Sequence, residues 1–212
     1  MAKRQFIAGL MLLALCCWPA EAMAEGLLDT TVFAKSDIAA FTKWTGMLAR
    51  FKKSEPSAQG HCPPSRLMPC PARDWHAFIQ DLSGKDELTQ INAVNTRINF
   101  AYYIGDMRNW GVADYWATPF EFMAKDGDCE DYAIAKYLTL KALGVDASTM
   151  RIVVVDDLNL NQPHAILTVQ ANDRTLVLDN QTRQVVDSSA VHHYRAIYSI
   201  NETGWWLHHP PQ

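Results

Sequence analysis

Cys129 lies in the run Asp126-Gly127-Asp128-Cys129-Glu130-Asp131, a thiol set among four carboxylates. If a helix starts at Asp128 or Cys129, its N-terminal dipole lowers the thiol pKa and makes Cys129 a candidate nucleophile. A structural cysteine, paired with Cys62 or Cys70 or simply buried, is the plainer alternative. The flanking acids work against a thiolate, because like charges repel. Carboxylates in a first helical turn suit the dipole, and that alone explains their presence. A sharper explanation is a bound Ca2+, which takes hard oxygen ligands and would cancel the repulsion. An EF-hand is excluded: counting from Asp126, position 6 is Asp131 rather than Gly, and position 12 is Tyr137 rather than Glu.

A nucleophilic thiol needs a base, and the base needs a group to orient it. His164 and Asp179 are the candidates. With Asn172-Asp173 as the loop of a hairpin, paired residue numbers sum to 345. Asp179 then lies opposite Ile166, with His164 its diagonal neighbour on the same face. A sum of 343 sets His164 and Asp179 directly opposite, and an even sum would put them on different faces. Among the other histidines, His192-His193 and His208-His209 are adjacent pairs without the spacing of a structural zinc site.

The elements that must position these residues follow from periodicity. Ile38, Phe41, Thr45, Leu48 and Phe51 recur at helical spacing, which predicts a helix over 36–53 with Ser36 as N-cap. The stretch 54–71 holds five of the ten prolines with Cys62 and Cys70, and reads as an ordered or disulfide-clipped loop. Helices are expected over 73–82 and 86–101, then an aromatic-rich connector over 102–116 that packs as an irregular part of the core. Thr118-Pro119-Phe120-Glu121 is a capping box opening a short helix that ends near Gly127. The next helix runs from Asp128 or Cys129 to Leu143, stopped by Gly144. From Met150 the period becomes two, with strands over 151–155, 164–170, 175–178, 196–201 and 205–208 and hairpin turns at 172–173 and 202–204. Helices first and strands second predict an α+β fold with a mainly antiparallel sheet.

Composition narrows the function classes. The 212 residues carry a net charge of −4, an acidic balance that argues against nucleic acid. Lys3 and Arg4, an apolar run from Phe6 to Trp18, and Ala22-Met23-Ala24 read as a signal peptide over 1–24, followed by one domain over 25–212. The apolar run is too short for a membrane span, so no stable membrane insertion is expected. A lipoprotein cysteine at Cys16 or Cys17 is disfavoured by the bulky residues before it. Removing the leader leaves Cys62, Cys70 and Cys129, so in an oxidising compartment two can pair and one is left over.

The stretch Trp110-Gly111-Val112-Ala113-Asp114-Tyr115-Trp116-Ala117-Thr118-Pro119, then Gly127-Asp128-Cys129-Glu130-Asp131-Tyr132-Ala133 with Lys136-Tyr137, resembles the bacterial transglutaminase-like cysteine proteinases, and within them the LapG-type periplasmic proteases. His164-Ala165-Ile166-Leu167 and Leu178-Asp179-Asn180 occupy the places of that family's His and Asp motifs. The resemblance implies a papain-like, transglutaminase-type fold with a Cys129–His164–Asp179 triad, its nucleophile at the N-terminus of a helix packed on the mainly antiparallel sheet. It implies calcium dependence, with Asp128 and Glu130 at the positions associated with the ion and Asp131 a further candidate. It also implies a periplasmic protease that cuts the N-terminal region of a large surface adhesin, releases cells from a biofilm, and is sequestered by an inner-membrane cyclic di-GMP receptor. A transglutaminase-like acyltransferase and a non-catalytic calcium-dependent adhesin-binding module are the readings from other classes.

Overall fold

Ten consecutive residues, Asp131 to Leu140, are buried in the helix Cys129–Ala142 of the computed structural model. A helix covered on every side is a core helix, not an amphipathic surface one. The structure describes residues 27, 28, 30–58 and 70–210; the expected leader, Cys62 and most of the proline-rich stretch lie outside them. In chain order the elements are β1 (Thr31–Lys35), α1 (Thr42–Ala58), α2 (Pro71–Leu82), α3 (Glu87–Ile98), α4 (Asp106–Asn109), α5 (Pro119–Lys125), α6 (Cys129–Ala142), β2 (Met150–Asp157), β3 (Gln162–Ala171), β4 (Arg174–Leu178), β5 (Val186–Asp187), β6 (Tyr194–Ile200) and β7 (Trp205–His209). The strands form one sheet in the order β1-β7-β6-β2-β3-β4-β5, antiparallel throughout. The α+β class expected from the element order is the fold observed.

Local chemistry accounts for the starts of the helices. At α5 the Thr118 hydroxyl accepts from the Glu121 N–H at 3.2 Å, and the Glu121 carboxylate accepts from the Thr118 N–H at 2.8 Å, completing the capping box. Asp86 caps α3 by accepting from the Thr89 N–H. α2 starts two residues earlier than expected, at Pro71 in the first turn, with Cys70 as N-cap. Cys70 is disulfide-bonded, and the expected pairing with Cys62 falls outside the described residues. α6 packs against β3 and β2 on one side and against α3 and α5 on the other. Trp44, Ile91, Val94, Tyr137, Leu140, Ile152 and Leu167 close the core there. A smaller cluster built on Val153, Val155, Ile166, Val177 and Tyr194 forms a second core.

Two expectations are corrected. α1 starts at Thr42, not Ser36: β1 ends at Lys35, and residues 36–41 form a turn in which the Asp37 carboxylate accepts from the Ala39 N–H. The connector over 102–116 is not core throughout, since Tyr102 and Met107 are 77% and 65% exposed.

His208 shows how β1 is held against the far end of the chain. The Thr30 hydroxyl donates to the Leu27 carbonyl at 2.6 Å, so it accepts from His208 Nδ1–H at 2.8 Å. Nε2 is therefore the acceptor, and receives the Ser199 hydroxyl at 2.9 Å. Burial, then the charges of Arg151 and His209, push His208 down to about 4. The folded state prefers the neutral ring, so this contribution is fully present above the unfolded pKa of about 6.5 and is lost as pH falls toward 4. It amounts to roughly 3 kcal/mol at most. Unfolding followed between pH 7 and 4 in the wild type and in His208→Gln should show a shallower loss of stability in the variant; parallel curves would contradict this account.

Candidate active site

The thiol is delivered by a sharp corner between α5 and α6. Asp126 takes φ 61°, a region costly for a side chain with a Cβ. Its N–H donates to the Phe122 carbonyl at 2.7 Å, its carbonyl accepts from Asn109 Nδ2 at 3.1 Å, and its carboxylate accepts from the Tyr102 N–H at 3.2 Å. Gly127 then forms a bridge with Tyr103, and α6 begins with Asp128 as N-cap and Cys129 as its first residue. Cys129 is a free, half-buried thiol. Its hydrogen goes to Glu130 Oε2 at 3.2 Å, and the backbone N–H of Ala165 in β3 lies near enough to favour the thiolate. Burial raises the thiol pKa most; the Glu130 charge and hydrogen bond and the Asp128 charge add to this, and the Ala165 N–H opposes it. Burial first, and then the carboxylates, favour the neutral thiol.

Ala165 follows His164 in β3, and α6 packs on that strand, which sets the thiol beside the imidazole's strand. Asn172 and Asp173, at φ 50° and 59°, make the hairpin turn. The β3–β4 register pairs Leu167 with Leu178, which is the register summing to 345. His164 Nε2 meets Asp179 Oδ1 at 2.9 Å, both buried. The other carboxylate oxygen accepts from the Tyr194 hydroxyl at 2.6 Å, and Oδ1 also accepts from the Gln181 N–H at 2.9 Å. Burial alone would raise Asp179, but these hydrogen bonds and the His164 charge outweigh it and hold the carboxyl below the usual range. With Nε2 engaged, Nδ1 is the ring nitrogen left for a second partner.

The acids at the start of α6 share a pattern. One oxygen of each accepts a backbone N–H: Asp131 Oδ1 from Ala117 at 2.7 Å, Asp128 Oδ2 from Asp106 at 3.3 Å, and Asp106 Oδ2 from Tyr115. The other oxygen of each, Asp131 Oδ2, Asp128 Oδ1 and Asp106 Oδ1, is buried with no hydrogen-bond partner. One oxygen from each of these three residues lies within 4.8 Å of the others. That spacing suits ligands on opposite sides of a cation with Ca–O distances of about 2.3–2.6 Å. Asp106, Asp114 and Glu130 form an overlapping group with the same spacing. Burial first, then neighbouring carboxylates, push Asp128 up to about 7 and Asp131 up to about 9, the latter against the Ala117 N–H. An all-carboxylate donor set with stranded buried oxygens fits a hard divalent ion.

Of the sequence candidates, Asp128 and Asp131 fall in the first acidic group and Glu130 in the second, with Asp106 common to both. Asp106, Asp114 and Tyr194 were missed. Asp106 precedes the motif by more than twenty residues, and only packing of α4 against the α6 start brings it in. Its one sequence signal is a carboxylate opening a turn inside an apolar connector. Trp110, a neighbour in that connector, stacks on Tyr115 at 4.4 Å and lies under Lys125.

A free thiol at the start of a buried helix, backed by an antiparallel sheet with a hydrogen-bonded His–Asp pair, defines a cysteine proteinase of the transglutaminase-like class. The chain belongs to the family of bacterial transglutaminase-like cysteine proteinases (BTLCP), whose model matches residues 66–209. It is similar to the solved structure of LapG from Legionella pneumophila, with 33% identity, TM-score 0.62, and coverage of 74% of this chain and 87% of that one. The calcium-bound form of LapG matches to the same extent, and the EGTA-treated form likewise, with 84% of that chain covered. A search of curated proteins returns no significant match.

Gly127 is required by this packing. A Cβ there would lie 2.2 Å from Asp131 Oδ2 and 2.8 Å from Asp131 Cβ, and Asp131 is fully buried with no room to retreat. Gly127→Ala should cost about 1–3 kcal/mol of stability in denaturant unfolding; a variant as stable as wild type would show that Asp131 is not held where the structure places it.

Proposed function

We propose that the chain is a calcium-dependent periplasmic cysteine endopeptidase that cleaves the N-terminal region of a large surface adhesin, releasing it and promoting biofilm dispersal. The observation that carries the catalytic part is the His164–Asp179 bond at 2.9 Å, its histidine on the strand against which the helix of Cys129 packs. The leader read over residues 1–24 supports export, and none of the described helices is long and apolar enough to cross a membrane. An inner-membrane cyclic di-GMP receptor is the proposed partner that sequesters the enzyme; the adhesin and receptor roles alike rest on the family resemblance of the motifs around Cys129, His164 and Asp179.

In this reading Cys129, His164 and Asp179 are nucleophile, base and orienting group. His164 Nδ1 takes the thiol proton, and the sulfur forms a bond to the peptide carbonyl carbon. The tetrahedral oxyanion is received by the Cys129 backbone N–H, one of the amide groups a helix leaves unpaired in its first turn. Collapse breaks the C–N bond as His164 returns the proton to the leaving amine, giving a thioester. Water, deprotonated by His164, then cleaves the thioester and restores the thiol. Asp179 holds the tautomer and balances the imidazolium throughout. Transfer to His164 first requires the thiol hydrogen to leave Glu130.

Asp106, Asp128 and Asp131, with Glu130 and Asp114 beside them, are the residues that would hold Ca2+. When bound, the ion supplies positive charge that lowers the cost of a thiolate among these acids.

Incubation with the N-terminal adhesin segment tests the proposal. Wild type with Ca2+ should yield two fragments, and Cys129→Ala should fall by about 10⁴-fold or more; retained cleavage refutes the nucleophile. Excess chelator should stop cleavage, and Asp131→Asn should raise the calcium concentration needed; full activity in chelator refutes the calcium part. Formation of an adduct with an added amine instead of fragments would reassign the chain as an acyltransferase.

A further inference from the structure

Tyr194 is a buried residue that the mechanism above does not use. It opens β6, whose neighbour β2 separates it from β3, and it pairs with Asp157 across that join. From there its hydroxyl reaches Asp179 Oδ2 at 2.6 Å. Its ring also lies beside the imidazole, with centroids 5.5 Å apart. We propose that Tyr194 is a positioning residue of the site, a fourth member that fixes Asp179 so that Oδ1 faces His164 Nε2. The proposal rests on the Cys129–His164–Asp179 reading and deepens it.

The carboxylate can rotate about its Cβ–Cγ bond, and the Gln181 N–H shares the oxygen that His164 uses. Only the Tyr194 hydroxyl holds the opposite oxygen. Without it, Asp179 still faces the imidazole but is free to rock about that bond, and the ring is held less firmly in one orientation. The phenol also draws charge toward Oδ2. Its removal leaves more charge on Oδ1, so the imidazolium is better stabilised and His164 should titrate at higher pH. The other groups that act on this assembly are Lys136 on α6, Cys129 at its start, Asp157 on β2, and His193 beside Tyr194.

Tyr194→Phe keeps the ring and removes the hydroxyl. With the adhesin segment and Ca2+, kcat should fall about 10-fold to 100-fold with KM unchanged. In a Cys129→Ala background, the NMR titration of the His164 ring should move up by about half a pH unit. 3-Fluorotyrosine in place of Tyr194 keeps the shape and strengthens the donor, and should move the same titration down; this second probe serves if Tyr194→Phe fails to fold. Wild-type kcat in Tyr194→Phe, or a titration unmoved by either change, overturns the proposal. If His164→Gln itself still cleaves, the triad reading has failed, and that outcome is distinguishable because the titrations need no substrate.

Discussion

Negative charge crowded around the start of a buried helix is the constraint on which this structure turns. Asp106, Asp128, Glu130 and Asp131 converge where α6 begins, and a thiol sits among them. Each of the three aspartates is fixed through one oxygen by a backbone N–H, which aims the other at its neighbours. Nothing basic among the described residues is hydrogen-bonded to those stranded oxygens. Left alone, the cluster drives its own carboxyls and the thiol toward their neutral forms. Local details follow from that demand: a glycine at 127 to let Asp131 approach the backbone, and an unfavourable φ at Asp126 to turn the chain sharply enough.

The opposite end of the site has the opposite electrostatics. Asp179 is as buried as Asp131, yet it accepts three hydrogen bonds and its carboxyl is held down rather than up. Burial is common to both; the supply of donors decides the sign. The difference has a topological origin. Asp179 closes a hairpin and is met by donors from β3, from its own loop and from β6. The acids at α6 meet one another across two helix starts, where each of the three aspartates has a single backbone N–H as donor and Glu130 has the Cys129 thiol. A nucleophile flanked by unbalanced anions and a base backed by a balanced one are thus two outcomes of the same burial.

Short-range signals were the readable ones. The capping box at Thr118, the start of α6 and the Asn172-Asp173 turn each depend on residues within four positions of one another, and the structure has all three. Once the turn was placed, strand geometry put His164 and Asp179 on one face without reference to the rest of the chain. What could not be read depends on distant partners. β1 is a strand because β7, some 170 residues later, pairs with it, and nothing local to residues 31–35 announces that partner. Asp106 joins the acids, and Tyr194 joins Asp179, through packing with no local pattern. The aromatic connector misled for a related reason: aromatic content marks burial on average, but Tyr102 and Met107 stand out in solvent.

Lys136 shows why the two halves of the site must meet as they do. It lies seven residues after Cys129 on α6, nearly two turns on, and so on nearly the same side of the helix. It is fully buried, its Nζ has no hydrogen-bond partner, and burial pulls it down to about 7 against the attraction of Asp179. An unpaired lysine at that depth is costly unless a nearby anion offsets it, and Asp179 is the carboxylate whose field reaches it. The same helix therefore engages the hairpin twice, by packing on β3 and through the charge of Lys136 near Asp179. Sliding α6 along the sheet would weaken both at once. The spacing of Cys129 and Lys136 on one rigid helix thus fixes the thiol against the strand that carries the imidazole, and links the placement of the nucleophile to the charge balance of the residue that orients its base.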